Sequence, residues 1–187
     1  MPPINLLALC GSLRQGSLNS AVAHTAASLC RPPVAMTVYE GLGGLPFFNP
    51  DVERECPPAE VLDFRARLAA ADAVLITSPE YAHGTSGVLK NGLEWVVGSG
   101  ELVDKPVAVV TASPSMTGGA RAQAWLRETL QVMSARVLPH ELRIPCATVK
   151  ITNGRVTDEE TLTGLRSVLA DLTRETSQLG EPVPSGA

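Results

Sequence analysis

Three short segments hold most of the side chains with chemistry to offer. The first, Gly11-Ser12-Leu13-Arg14-Gln15-Gly16-Ser17-Leu18-Asn19, follows an apolar run and leads into a helical pattern. A turn from strand to helix aims free backbone N–H groups and the positive end of a helix dipole at one point, which suits phosphate. Ser12, Ser17 and Asn19 add side-chain donors, and Arg14 supplies charge-assisted bonds to phosphate oxygens. The competing interpretation is a plain helix, capped by Ser17 or Asn19, with a solvated Arg14. Three other phosphate motifs fail on the letters. Leu13 stands at the central glycine of a dinucleotide G-x-G-x-x-G. Ser17, where a Walker A loop needs lysine, follows Gly16, and Cys10 and Arg14 are too close for a thiol phosphatase loop. A terminal monophosphate remains.

The second segment, Pro79-Glu80-Tyr81-Ala82-His83-Gly84, has little bulk at Ala82 and Gly84, so its backbone can approach the edge of a flat ring. The third, Ala112 to Gly119, is another Gly/Ser-rich loop in which Ser113 to Gly119 can line a ligand's other side. His83 reads as a loop surface residue rather than a general acid, and His24 and His140, with no polar partners nearby in sequence, as structural or exposed. Cys10, Cys30, Cys56 and Cys146 lack CxxC spacing or a histidine at a metal-finger interval, so no metal site is expected and reduced thiols are.

These segments need a scaffold, and the hydrophobic pattern supplies one. Apolar runs at Ile4–Cys10, Val34–Tyr39, Ala73–Thr77 and Val107–Thr111 read as strands, the first as one buried on both faces. Helical spacing appears at Asn19 to Cys30, after Pro58 (Val61, Phe64, Leu68), at Gly87 to Val97, at Leu126, Leu130 and Met133, and at Leu162, Leu165, Leu169 and Leu172. Gly41 to Pro58 reads as a structured loop and Arg136 to Ile151 as a weaker extended region. Trp95 and Trp125 fall on helices, as packing residues. Strands alternating with helices imply βαβ units and a parallel sheet, whose ligands bind at the carboxyl ends of strands where the strand order reverses. All three segments follow strands.

Two of them also resemble a known family. Gly11-Ser12-Leu13-Arg14, followed by Ser17 and Asn19, is similar to the GS-x-R-x-x-S-x-N phosphate loop of the NADPH-dependent FMN reductases, which have a flavodoxin-like fold. Ser78-Pro79-Glu80-Tyr81-Ala82-His83-Gly84-Thr85-Ser86-Gly87-Val88-Leu89-Lys90-Asn91 resembles their PEY…G-x-LKN signature, with Ser86 where the family often has proline. Asp104 to Val107 and Gly118 to Gln123 match later segments, and the resemblance runs from about Ile4 to Leu138. It implies an α/β, flavodoxin-like three-layer sandwich with a five-stranded parallel sheet in order 2-1-3-4-5; the chain reads as one domain over residues 1–179, and its tail at 180–187 reads as disordered. The resemblance also implies bound FMN, held at its phosphate by Ser12, Arg14, Ser17, Leu18 and Asn19. The ring would meet Pro79, Glu80, Tyr81, Ala82, His83, Gly84 and Ser113. Glu80 becomes an intersubunit contact in a homodimer or homotetramer, and Lys90-Asn91 an architectural pair.

The activity so implied is hydride transfer from NADPH or NADH to FMN, then electron transfer to a small-molecule acceptor such as a quinone, metal oxyanion, azo compound or free flavin, by a ping-pong mechanism. The flavin does the chemistry, so no catalytic side chain is assigned. Alternatives are a flavodoxin-type electron carrier, or a flavin-poor regulatory protein keeping only the fold. Composition narrows the partners. The 187 residues carry 15 Lys+Arg against 19 Asp+Glu, and aromatics are 4%, which argues against nucleic acid. No apolar stretch approaches the ~20 residues of a membrane helix. The N-terminal run lacks the basic region and cleavage site of a signal peptide, so a cytoplasmic protein is expected.

Overall fold

A computed structural model of the chain describes residues 3–179, so the expected tail at 180–187 lies outside the described residues. Strands β1 (Ile4–Cys10), β2 (Val34–Tyr39), β3 (Ala73–Ser78) and β4 (Pro106–Ala112) lie where the apolar runs predict. All pair in parallel, in order β2-β1-β3-β4. β3 and β4 are buried along their whole length, which is why they read as continuous apolar runs rather than alternating ones.

The period of two nevertheless sorts their side chains. Leu6, Ala8, Leu75, Ala108 and Val110 face one layer, packed against α1 (Leu18–Leu29) and the last long helix, Glu159–Leu179, through Val22, Ala26, Leu165 and Leu172. Leu7, Leu9, Val74, Ile76, Val107 and Val109 face the other. There they meet helices α3 (Ala59–Ala70), α4 (Gly87–Val97) and α5 (Ala120–Val132) through Phe64, Leu68, Leu93, Trp95, Leu126 and Leu130. The result is the expected helix–sheet–helix sandwich. Among the described residues, no helix is long and apolar enough to cross a membrane.

The fifth position differs from expectation in its continuity. The extended region is broken into β5 (Arg136–Val137) and β6 (Leu142–Ile144), both parallel to β4, with β5 against Pro106 and Val107 and β6 against Val110 to Ala112. Side chains of α5 hold the two pieces in place. Gln123 Nε2 donates to the carbonyls of Val109 (3.0 Å) and Leu142 (3.1 Å), and Arg127 donates to the Leu138 carbonyl at 2.6 Å.

The Gly41–Pro58 loop is also more ordered than its composition suggests. It contains a 3₁₀ turn at Gly41–Gly44 and α2 (Pro50–Glu55), which starts with proline and is capped by Asn49 accepting from the Asp51 N–H at 2.8 Å. Asn91 fixes this loop to α4, accepting from the Phe48 N–H and donating to the Pro46 carbonyl, which also receives the Trp95 indole N–H. Trp95 is thus a packing residue, and Asn91 is architectural. Trp125 is not the packing residue expected. It lies on the outer side of α5, 42% exposed.

Candidate active site

The strand order reverses between β1 and β3, and the loops after β1, β3 and β4 meet at the carboxyl ends of those strands around a cleft of about 320 Å³. That is where a doubly wound sheet binds its ligand. The first loop contributes Ser12, Arg14, Ser17, Leu18 and Asn19 to the lining, the second Pro79, Glu80 and Tyr81, the third Ser113. Ala82, His83 and Gly84, expected in the same site, do not line it. Ala112 and Pro114 of the third loop also line it, as does Thr148, which had no assigned role in the sequence. Thr148 arrives on α6 (Ala147–Lys150), one helical turn within a region that reads as extended.

The first loop has the electronic character its sequence predicts. Ser17 caps α1, its Oγ accepting from the Ser20 N–H at 3.2 Å. Among the described residues, the N–H groups of Leu18 and Asn19 in that first turn have no acceptor. Arg14 folds over its own turn, with its N–H 3.4 Å from Ser12 Oγ and Nη2 donating to the Gly16 carbonyl at 3.1 Å. Asn19 differs from the sequence reading. Its amide makes reciprocal 3.0 Å bonds with the Ala112 carbonyl and N–H, and the side chain is only 3% exposed. It clamps the end of β4 to the start of α1. Burial pushes the thiol of nearby Cys10 above its ordinary pKa, which keeps it protonated and a poor nucleophile.

The second loop leaves β3 as a two-residue hairpin turn. Tyr81 and Gly84 exchange backbone hydrogen bonds at 3.0 and 2.9 Å, with Ala82 (φ 48°) and His83 (φ 65°) at the tip, both left-handed. Ala82→Gly is expected to stabilise the ligand-free protein by about 0.5–1 kcal/mol, because the penalty for an L-residue there exceeds the chain entropy of glycine. Thermal unfolding checks this, and an unchanged or lower midpoint would mean that the turn is not so strained.

Beside this turn, Glu80 Oε2 accepts from the N–H groups of Arg121 (3.0 Å) and Ala122 (3.2 Å), and Oε1 lies 3.4 Å from His83 Nδ1. Burial alone would raise the Glu80 pKa, but the bonds from Ala122, Arg121 and His83 together outweigh it and hold the carboxyl below its usual range. Within the chain, Glu80 thus ties the second loop to the start of α5. His83 is 70% exposed at its side chain, a loop surface residue as expected. Ser86 caps α4 by accepting from the Leu89 N–H.

The third loop is shaped by Gly118 (φ 62°) and Gly119 (φ 85°). A Cβ on Gly118 would lie 2.9 Å from the Pro145 nitrogen, and one on Gly119 3.0 Å from Thr111 Cβ, so both conformation and space demand glycine. Away from the cleft, His24 faces Glu40 at 3.5 Å, and His140 pairs with Asp171 at 2.9 Å, a partner 31 residues away that local sequence could not reveal.

Comparison with known proteins agrees with this geometry. The chain is 39% identical over 137 residues to an NAD(P)H-dependent FMN reductase of Pseudomonas aeruginosa, covering 72% of this chain and 74% of that one. It is 33% identical over 138 residues to a quinone reductase of Escherichia coli, covering 72% and 73%. Among solved structures, the flavoenzyme NAD(P)H:(acceptor) oxidoreductase of Paracoccus denitrificans superposes with a TM-score of 0.83 at 29% identity, over 93% of this chain and 98% of that one. The family model for NADPH-dependent FMN reductases matches residues 4–148, and the chain belongs to that family of oxidoreductases.

Proposed function

We propose that the cleft binds FMN and that the protein oxidises NAD(P)H and reduces a small-molecule acceptor such as a quinone. The observation that carries this reading is the donor set at the start of α1. The unpaired N–H groups of Leu18 and Asn19, the hydroxyls of Ser12 and Ser17 and the Arg14 guanidinium converge where strand order reverses. All are donors, and one is a permanent cation, so the set fits a phosphate dianion. The cleft continues from there to Pro79, Tyr81, Ser113 and Thr148, which would flank the ring. Among the lining residues only Tyr81 is aromatic, so one face of a flat ring stays open to a second reactant. That favours a reductase over an electron carrier.

When bound, FMN would accept hydride from the nicotinamide and release electrons to the acceptor. The chain's own residues bind and orient. The first loop fixes the phosphate, the backbone of the second lies toward the ring edge, and the third bounds the opposite side. We extend the same reading to a cytoplasmic homodimer or homotetramer, supported by four free cysteines and by the family resemblance.

The open ring face in the cleft and a sequence without a dinucleotide fingerprint support a reading in which nicotinamide and acceptor use the same place in turn. Two-substrate initial rates are expected to give parallel double-reciprocal lines, with the acceptor competing against NAD(P)H at high concentration. Anaerobic NADPH alone is expected to bleach the visible flavin absorbance. Intersecting lines without bleaching would refute the mechanism, and a purified protein that takes up no FMN would refute the reading itself.

A further inference from the structure

Glu80 joins the second loop to the start of helix α5. Helix α5 begins after Gly119, which is left-handed and has no side chain with which to cap it. The first-turn N–H groups of Arg121 and Ala122 are instead met by Glu80 Oε2, from a residue 41 positions earlier in the chain. The carboxylate also sits on the positive end of the α5 dipole. Pro79, on one side of Glu80, is buried and lines the cleft; Tyr81, on the other, lines it and opens the strained turn. The turn sequence Tyr81-Ala82-His83-Gly84 lacks the Asn-Gly or Asp-Gly pair that would favour two successive left-handed residues. Its conformation therefore depends on anchoring from outside, and Glu80 provides an anchor at its base.

We propose that Glu80 is a positioning residue of the cleft: by capping α5 with its carboxylate, it holds Pro79–Gly84 where the ring of a bound flavin is received. This rests on the FMN reading above. Glu80 need not touch the ligand. Without it the loop samples other conformations, and binding must include the entropy of ordering it again.

The test uses the full chain, with Glu80→Ala and Glu80→Gln, and FMN and riboflavin as probes. In Glu80→Gln the new side chain's amide oxygen can still accept from α5, so the conservative variant should rescue. In Glu80→Ala, both flavins are expected to bind more weakly by the same factor, about tenfold, as loss of a helix cap implies. Glu80→Gln should stay within about threefold of wild type, since only the charge–dipole part is lost. Equal loss for the two flavins marks a defect at the ring rather than at the phosphate. A ligand-free arm measures amide hydrogen exchange at Tyr81 and Gly84, expected to be faster in Glu80→Ala and restored in Glu80→Gln.

Unchanged exchange and unchanged affinities in Glu80→Ala would overturn the proposal, as would faster exchange with both affinities intact, since the anchor would then not serve the cleft. A loss confined to FMN would also overturn it. Wild-type protein that binds neither flavin would instead refute the FMN reading, while the exchange experiment still decides whether Glu80 holds the loop.

Discussion

Arg14→Ala is expected to weaken FMN binding by about 1.5–3 kcal/mol, roughly ten- to hundredfold, and to leave riboflavin affinity unchanged. The magnitude is that of a hydrogen bond to a charged group. The selectivity follows from position. Arg14 lies in the loop before α1, on the side of the cleft where the unpaired N–H groups of Leu18 and Asn19 converge, and riboflavin has no phosphate for it to meet. Among the described residues its one side-chain bond is an exposed contact from Nη2 to the Gly16 carbonyl, so truncation should change folding stability by no more than about 0.5 kcal/mol. Titrations with the two flavins, beside a denaturation curve, separate the cases. Equal losses for both ligands would make Arg14 a support of the fold and move the phosphate elsewhere.

Legibility of the fold in the sequence followed burial. Strand β1 and helix α4 begin and end where the residue pattern predicts, because a mostly buried parallel strand is a continuous apolar run and Ser86 marks a helix start. Where few residues are buried, the pattern fades. β5 and β6 have two and three residues, too few for any period, and depend on Gln123 and Arg127 from α5. α2 has no buried residue and hides among prolines. One missed element did leave a signal. Ile151–Thr152 and Arg155–Val156 form a small hairpin around Asn153-Gly154, both at positive φ, and Asn-Gly between such residues favours this turn. In the cleft, residues adjoining a strand end could be read from their loops. Thr148, and the partners of Asn19 and Glu80, depend on contacts spanning 41 residues or more, or on a single turn of helix.

The largest loss should come from Asn19, because two loops depend on it. Its amide gives one N–H to the Ala112 carbonyl and takes the Ala112 N–H, each at 3.0 Å, in a nearly fully buried position that ties α1 to the end of β4 just before Ser113. Only a side chain with both a donor and an acceptor satisfies both backbone groups. Asn19→Ala leaves both without a partner, and is expected to destabilise the ligand-free protein by about 2–4 kcal/mol, from one unmet donor and one unmet acceptor at about 1–3 kcal/mol each with water reaching them in part. Asn19→Asp keeps the bond from the Ala112 N–H but turns a carboxylate oxygen toward the Ala112 carbonyl. It also places a negative charge in the first turn of α1, where the helix dipole favours an anion. That charge would occupy the electrostatic niche assigned to the phosphate. FMN affinity is therefore expected to fall by well over tenfold while riboflavin falls much less, and the deficit should shrink below the carboxylate's pKa. Chemical denaturation measures the first effect, and flavin titrations at two pH values the second. If Asn19→Asp binds FMN as tightly as wild type at neutral pH, no phosphate is held at the start of α1, and the assignment of the first loop would have to be given up.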